Sequence, residues 1–154
     1  MQAKSTMRRE RGFTLIELLV VFAIMALVIG LVPVAFERLS ESAKYRDTVR
    51  TMLSELRQAR SIALSQGREV RFAVDLSGHA FGLQGAAPHR LAPALRIRAT
   101  VAERELQRGV AAIRFLPDGG ATGGSIEIIR PAGNGVRLRV DWLSGHVSQE
   151  PLLQ

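Results

Sequence analysis

Cysteine is absent from this chain of 154 residues. Its absence excludes thiol catalysis, disulfide bonds and cysteine-ligated zinc. Histidine is scarce as well, and His79, His89 and His146 do not lie at ligand spacing from one another. No interleaved Asp/Asn loop of the kind that binds calcium is present either. We therefore expect no metal site.

Motifs for catalysis and nucleotide binding are also missing. The glycine-rich segment 118–124 lacks the Gly-Lys-Ser/Thr ending of a phosphate-binding loop and does not open a helix, so we interpret it as a structural turn. No Ser-His-Asp nucleophile signature is found. The sequence predicts a protein that is not an enzyme, with no catalytic residue and no cofactor.

Aromatic residues make up only 5% of the chain, although its formal net charge is +7. The first twelve residues carry Lys4, Arg8, Arg9 and Arg11 against Glu10, which is +3, so the rest carries 7 − 3 = +4. This mild excess does not argue for nucleic acid by itself. Without aromatic residues interleaved among the arginines, a stacking mode of single-strand binding is disfavoured. We expect no nucleic acid partner.

The chain does contain one long apolar run near its N-terminus. The nineteen residues from Leu18 to Phe36 carry no charge. At about 1.5 Å per residue, a helix of this length covers roughly 28 Å, close to the hydrocarbon thickness of a bilayer. The basic flank before it predicts a cytoplasmic N-terminus and an exported C-terminal part. A cleavable signal peptide is the alternative, but its apolar region is typically shorter and is followed by a small-x-small site.

Glu17 is an acid at the start of this apolar run. A carboxylate in the bilayer costs about 2.5–3.5 kcal/mol on insertion scales, so such residues usually face a partner. No basic residue occurs within the twenty residues that follow it. A plain membrane anchor explains the length of the run but not this acid. The nearest candidate positive charge is a newly made N-terminal amine at Phe13, on this chain or on a neighbour.

Residues 11–20, Arg-Gly-Phe-Thr-Leu-Ile-Glu-Leu-Leu-Val, resemble the prepilin signal shared by type IV pilins and type II secretion pseudopilins. The resemblance implies that a membrane peptidase cuts after Gly12 and that the new N-terminal residue, Phe13, is N-methylated. It also implies that Glu17 meets the terminal amine of an adjacent subunit during assembly. A glycine lets the backbone enter a protease cleft closely, and a methylated amine keeps the charge that an ion pair with Glu17 requires.

The helix is predicted to continue past the apolar run, from Glu37 to Gln66, and to stop at Gly67. In this stretch, larger apolar residues recur every three or four positions, as on one face of a helix: Tyr45, Val49, Met52, Leu53, Leu56, Ala59 and Ala63. We interpret this stripe as the face that packs on the following domain. A coiled-coil seam or a cofactor-binding face would have the same pattern.

After Gly67 the apolar period changes from helical to two. Alternating segments begin near Val70, Leu95, Ala111, Ile126 and Val136, the last of them reaching Trp142, and shorter strands are expected over 79–84 and 147–149. Glycine and proline turns separate these segments. Six or seven short strands in this arrangement predict an antiparallel sheet or small sandwich. Segment 102–108 fits either a loop or a short helical turn. The predicted organisation is a cleaved leader over 1–12, a transmembrane half of the helix over 13–36, a soluble amphipathic half over 37–66 and an antiparallel β domain over 67–154.

Two C-terminal segments carry a second resemblance. Segment 115–125 reads Phe-Leu-Pro-Asp-Gly-Gly-Ala-Thr-Gly-Gly-Ser and segment 140–147 reads Val-Asp-Trp-Leu-Ser-Gly-His-Val. They are similar to the C-terminal signature of GspH/FimT-type minor pseudopilins, in which a glycine-rich turn joins two strands. His146 stands where that family commonly has arginine. The resemblance implies a type IV pilin-like α+β fold, with a long N-terminal transmembrane helix packed on an antiparallel β-sheet or β-sandwich domain.

The family resemblance implies a minor pseudopilin of the type II secretion pseudopilus, which helps to export folded proteins across the outer membrane. The implied partners are major and minor pseudopilins, the inner-membrane secretion platform and the prepilin peptidase. The implied location is a single pass through the bacterial inner membrane, with the N-terminus cytoplasmic, the C-terminal domain periplasmic and the subunit assembled into a periplasmic pseudopilus. A FimT-like minor type IV pilin, active in pilus assembly or DNA uptake, is the alternative.

Arginines on the polar side of the predicted strands form a candidate basic contact face. Its members are Arg96, Arg98, Arg137 and Arg139. Such a face is ordinarily a solvated outer surface. The alternative interpretation is a patch that contacts DNA or an acidic partner subunit.

Overall fold

The computed structural model describes residues 13–152, and it describes no side chains between residues 31 and 39. The leader predicted over residues 1–12 lies outside the described residues. The described chain has one long helix, α1 (Leu15–Gln66), followed by nine strands. It forms two compact units, the first ending at Ser40 and the second beginning at Glu41.

In the first unit, the apolar side chains of residues 13–30 are exposed along α1. Among the residues whose side chains are described, no helical segment combines the length and the apolar character needed to cross a membrane. The transmembrane range predicted over 13–36 extends into residues 31–39, and it stays a prediction.

In the second unit, one face of α1 is buried. Six of the seven residues in the predicted stripe are buried, and the seventh, Leu53, is partly buried against the same core. The stripe is therefore confirmed as a packing face. The helix ends at Gln66, and Gly67 follows with a φ of 60°, a left-handed conformation that glycine adopts without a Cβ penalty.

The strands form two antiparallel sheets. The first sheet has the order β3-β2-β1-β6-β5, and the second has the order β4-β7-β8-β9. The strand bounds are β1 (Val70–Asp75), β2 (Ala80–Leu83), β3 (His89–Arg90), β4 (Arg96–Thr100), β5 (Leu106–Gln107), β6 (Val110–Phe115), β7 (Gly124–Ile129), β8 (Gly135–Val140) and β9 (Val147–Pro151).

One hydrophobic core joins the helix stripe to the inner faces of both sheets. The largest fully buried side chains include Met52 and Leu56 from the helix, Phe72 and Phe115 from the first sheet, and Ile126 from the second. Complete burial of such a side chain contributes about 1.5–3 kcal/mol. The predicted α+β class with an antiparallel β domain is confirmed, and the β domain consists of two sheets.

Three local features differ from the sequence-based prediction or go beyond it. Strands β3 and β5 were not predicted, because each has only two residues and cannot display an alternating period. Segment 102–108 contains a 3₁₀ turn, Glu103–Glu105, followed by β5. Trp142 was expected within a strand, but β8 ends at Val140 and the Trp142 side chain is 68% exposed.

Candidate functional site

We call residues 12–17 the assembly segment. The structure describes it from Phe13 onward, and Gly12 lies outside the described residues. The backbone N–H of Thr14 donates to Oε2 of Glu17 at 3.4 Å, and the backbone N–H of Glu17 donates to Oγ1 of Thr14 at 3.3 Å. Both distances are at the long end for hydrogen bonds. This reciprocal arrangement is a capping box at the start of α1, and it places the carboxylate at the positive end of the helix dipole.

The capping box adds a second property to the acid that the sequence singled out. Glu17 caps its own helix through Thr14, which directly follows Phe13, the residue at which a free amine is expected after processing. Sequence reasoning missed this contact, although the spacing Thr-x-x-Glu is the usual sign of a capping box. Thr14 therefore helps to fix the position of the Glu17 carboxylate at the start of α1.

The two C-terminal signature segments contact each other in the second unit. The backbone N–H of Ala121 donates to the carbonyl oxygen of Trp142 at 2.9 Å. A Cβ added at Gly145, whose φ is 60°, would lie 2.5 Å from the carbonyl oxygen of Gly119. The second segment also contacts the helix, since Nε of Arg60 donates to the carbonyl oxygen of Ser144 at 2.9 Å. The signature thus marks a junction between the two sheets and α1.

Asp141 organises the turn that carries half of this junction. Its Oδ1 accepts hydrogen bonds from the backbone N–H of Ser144 at 2.8 Å, from the Ser144 hydroxyl at 2.8 Å and from the backbone N–H of Leu143 at 3.2 Å. These bonds, the one from the Ser144 backbone first, hold the pKa of Asp141 below its ordinary value. These bonds close a turn directly after β8, which ends at Val140, and Trp142 lies within that turn.

The glycine-rich segment uses its own amides within the turn. The N–H of Gly119 donates to the carbonyl oxygen of Leu116 at 3.1 Å, and the N–H of Gly120 donates to Oδ1 of Asp118 at 2.9 Å. These two amides therefore do not point towards a ligand. The interpretation of segment 118–124 as a structural turn is confirmed.

The candidate basic contact face lies on the outer surface of the second sheet. In the strand register, Arg98 is opposite Glu127, Glu127 is opposite Arg137, and Arg137 is opposite Glu150. Nε and Nη2 of Arg137 both donate to Oε1 of Glu127, at 3.1 Å and 2.7 Å. The structure brings Arg96, Arg98, Arg137 and Arg139 onto one face, but two acids are interleaved with them. Whether this face contacts a partner stays a prediction.

The three histidines lie apart in the structure. His79 lies in a turn and His146 directly precedes β9. Nε2 of His89 lies 2.9 Å from Oε1 of Glu55 on α1, and the His89 ring stacks on Phe81. Sequence reasoning did not find the contact with Glu55, because it joins residues distant in the chain. Within residues 13–30 and 40–152, no group of three His, Asp or Glu side chains is arranged to hold a metal ion.

Comparison with known protein families gives two matches. A family model described as type II transport protein GspH matches residues 48–145, and a model of the prokaryotic N-terminal methylation motif matches residues 7–33. The chain is also 32% identical to the type II secretion system protein H of Xanthomonas campestris pv. campestris, with 98% of this chain and 90% of that protein covered.

Comparison with solved structures shows the same fold in two related systems. The minor pseudopilin EpsH from the type 2 secretion system of Vibrio cholerae matches with a TM-score of 0.54 and 12% identity, over 71% of this chain and 96% of that one. The type IV minor pilin FimU of Pseudomonas aeruginosa matches with a TM-score of 0.54 and 19% identity, over 73% of this chain and 92% of that one. At these identities the likeness concerns the fold.

Proposed function

Since the chain belongs to the GspH family of type II transport proteins and is a minor pseudopilin of the type II secretion system, we propose that it is cut after Gly12 and enters the pseudopilus through its N-terminal helix. The subunit is anchored in the inner membrane by a single pass, with its β domain in the periplasm. Its role is structural rather than enzymatic: it helps the filament to export folded proteins across the outer membrane. Its partners are other pseudopilins, the inner-membrane platform and the prepilin peptidase.

The observation that supports this proposal is the capping box at the start of α1. In the uncut chain, the Glu17 carboxylate accepts a hydrogen bond from the neutral backbone N–H of Thr14. Cleavage after Gly12 creates a charged amine at Phe13. The bond from the Thr14 N–H is already charge-assisted by the carboxylate, but a charged amine adds the attraction between two opposite unit charges, which is stronger where water is excluded. We therefore expect the Glu17 carboxylate to exchange its hydrogen bond with the Thr14 N–H for an ion pair with the charged amine of an adjacent subunit.

The cleavage step is tested by the change Gly12→Asp. A side chain at this position obstructs the close approach of the backbone to a protease, so a leader-bearing form accumulates and runs more slowly on a gel. The matched control is Ala132→Asp, which adds the same carboxylate at an exposed turn position of the β domain. Normal cleavage of the Gly12 variant, or a mature chain that begins anywhere other than Phe13, contradicts the proposal.

The pairing step is tested by comparing Glu17→Ala with Thr14→Ala. Both changes remove the capping box, but only the first removes the carboxylate. If the acid pairs with a neighbouring amine, Glu17→Ala is processed normally and fails to co-assemble with the other pseudopilins, whereas Thr14→Ala assembles. Co-assembly of the Glu17 variant would contradict the pairing. Equal failure of both variants would assign the effect to helix capping instead.

We also propose that nucleic acid is not a partner, which separates this chain from a DNA-binding minor pilin. The alternation of Arg98 and Arg137 with Glu127 and Glu150 supports this, because each acid repels a phosphate that approaches the adjacent arginine. The test is a titration of the full chain in maltoside micelles with duplex DNA at several salt concentrations. Binding that weakens steeply as salt rises would contradict the proposal.

A further inference from the structure

A polar cleft on the outer face of the first sheet takes no part in the assembly segment or the signature junction. Its volume is about 360 Å³, and we call it the arginine cleft. Arg71 on β1 and Arg114 on β6 lie directly opposite each other in the register and form its floor. The remaining lining residues are Glu69, Gln84, Arg104, Glu105 and Gln107.

Arg114 is fully engaged by acids of the same chain. Its Nη1 lies 3.3 Å from Oε2 of Glu69, and its Nη2 contacts Oε1 of Glu105. The Glu105 side chain is only 4% exposed, so this pair is shielded from solvent on the acid side. Hydrogen bonds from Arg114 to these two acids, Glu105 first, raise the pKa of the guanidinium. Arg114 therefore already has two carboxylate partners within the chain.

Arg71, in contrast, has no acid of its own. Its Nε is buried and has no hydrogen-bond partner among the residues that the structure describes. Its side chain also forms no ion pair within residues 13–30 and 40–152, and its cross-strand neighbour is another arginine. Like charges directly opposite each other on a sheet are destabilising, and buried donors are normally satisfied. An anion bound at the Arg71 guanidinium would offset the repulsion between the two arginines and supply an acceptor.

The charges of the lining decide which anion fits. Three arginines and two glutamates line the cleft, which gives a net charge of 3 − 2 = +1. A single carboxylate neutralises this charge. A phosphate dianion or a polyanion would exceed it and would face the carboxylates of Glu69 and Glu105. Arginine also presents its donors in a planar fork that matches a carboxylate in bidentate geometry.

The surface next to the cleft favours a protein ligand over a free ion. A second depression of about 380 Å³ adjoins Arg71 and continues mainly over small and apolar residues, namely Ala73, Ala80, Gly82, Pro88 and Val110. Asp75 also lines it, and Oδ1 of this acid is hydrogen-bonded to backbone amides of its own turn. A dissolved ion would make no use of this apolar wall, whereas a polypeptide can place an acid on Arg71 and an apolar neighbour on the wall.

We propose that the arginine cleft binds the carboxylate of one Asp or Glu side chain of an adjacent pseudopilus subunit, through the guanidinium of Arg71. The ion pair of Arg114 and Glu105 lines the cleft beside Arg71 and does not bind the ligand. The assignment of the occupant to a subunit depends on the function proposed above. The preference of the cleft for a carboxylate does not depend on it, and the two parts are tested separately.

The carboxylate site is tested by NMR on the full chain in maltoside micelles. The probe is N-acetyl-glutamate α-methylamide, which carries only a side-chain carboxylate, and the neutral control is the corresponding glutamine compound. The glutamate compound is expected to shift the Nε–H resonance of Arg71 saturably, and the glutamine compound to leave it unchanged. Arg71→Lys weakens binding at least about tenfold, the equivalent of one charge-assisted hydrogen bond, while Arg98→Gln on the other sheet leaves it unchanged.

Three results would overturn the carboxylate assignment. They are equal shifts with the glutamate and glutamine compounds, binding that survives in Arg71→Lys unchanged, and tighter binding of inorganic phosphate than of the glutamate compound. The last would identify a phosphate site.

The subunit contact is tested in cells that produce the secretion system, with a photo-crosslinking residue at Gln84 on the edge of the cleft. We expect a crosslink to another pseudopilin at a position next to an acid. The crosslink yield should fall at least about tenfold in Arg71→Glu, because repulsion between two carboxylates replaces a charge-assisted hydrogen bond. Arg98→Glu is the matched control and keeps the crosslink. An unchanged crosslink in Arg71→Glu overturns the proposal. Leader cleavage, followed on the same gel, separates this result from a failure of processing at Gly12.

Discussion

The junction between the two C-terminal signature segments can be tested at Gly145. Its φ is 60°, and an added Cβ would lie 2.5 Å from the carbonyl oxygen of Gly119 and 3.2 Å from Nε of Arg60. The change Gly145→Ala therefore adds two costs, the strain of a left-handed alanine and a collision with backbone. Because the collision involves backbone, the side-chain rotations that usually relieve such contacts cannot relieve it.

Gly67 offers a matched control for the first of these costs. Its φ is also 60°, but an added Cβ meets nothing within 4 Å. Gly67→Ala is expected to cost about 1–2 kcal/mol from backbone conformation alone. Gly145→Ala additionally separates the two segments and breaks the bond from Arg60 to Ser144. We estimate this addition at about 3–5 kcal/mol, from the loss of a hydrogen bond to a charged group and the shift of packed backbone.

The assay is thermal unfolding of both variants and the unchanged chain in the same maltoside micelles, followed by circular dichroism and by the emission of the single tryptophan, Trp142. At about 4 °C per kcal/mol for a unit of this size, Tm of Gly145→Ala should fall about 12–20 °C further than Tm of Gly67→Ala. If Tm falls equally in the two variants, the close approach of Gly145 to Gly119 does not restrict the side chain at position 145. The junction between the signature segments would then contribute nothing measurable to stability.

Three further predictions concern the core, the arginine cleft and the turn. Phe115→Ala removes a fully buried ring and should cost about 3–5 kcal/mol in a denaturant titration, and a loss below 1 kcal/mol would contradict its place in the core. Arg114→Gln leaves the buried carboxylate of Glu105 without its partner, so its Tm should fall further than that of Arg98→Gln, and equal values would contradict the pairing. The pKa of Asp141 is lowered in the folded state, so the stability it contributes is present above its ordinary value of 3.8 and is lost as pH falls through the lowered pKa. The difference in Tm between the unchanged chain and Asp141→Asn should therefore shrink between pH 7 and strongly acidic solution, and a constant difference would contradict the hydrogen-bonded turn.

The function of the chain follows from features that lie close together in sequence. The family matches cover the methylation motif at residues 7–33 and the region from residue 48 to residue 145. The α+β class could also be predicted, because the helix stripe has a period near 3.6 and the strands have a period of two. The buried face of α1 and most strands lie where these periods place them.

The capping box at Thr14 and Glu17 could be predicted from the sequence only in part. Its spacing is visible in the sequence, but the same four residues also form part of the prepilin motif, and that resemblance drew attention to Glu17 alone. The structure assigns Thr14 a contact with this acid. Both interpretations use the same carboxylate, and the pairing with a neighbouring amine stays a prediction.

Other features depended on strand register, which local patterns do not specify. The predicted strands can be paired in many orders, and the observed order and register place Arg98, Glu127, Arg137 and Glu150 in one row. The same holds for Arg71 and Arg114, whose side chains are forty-three positions apart in sequence (114 − 71 = 43) and opposite in the sheet. The sequence indicated a basic face, and the register showed that acids interrupt it.

Sequence by itself determined the helix, the alternating strands, the costly acid in the apolar run and the family. These features depend on the spacing of apolar residues and on short motifs, and both can be recognised within a short stretch of sequence. Only the tertiary structure showed which arginines form ion pairs with acids, why a side chain at Gly145 would collide with backbone, and where the arginine cleft lies. Those properties arise where segments distant in sequence approach within hydrogen-bond distance, and the free energy of that approach depends on all of the packed core rather than on any one segment.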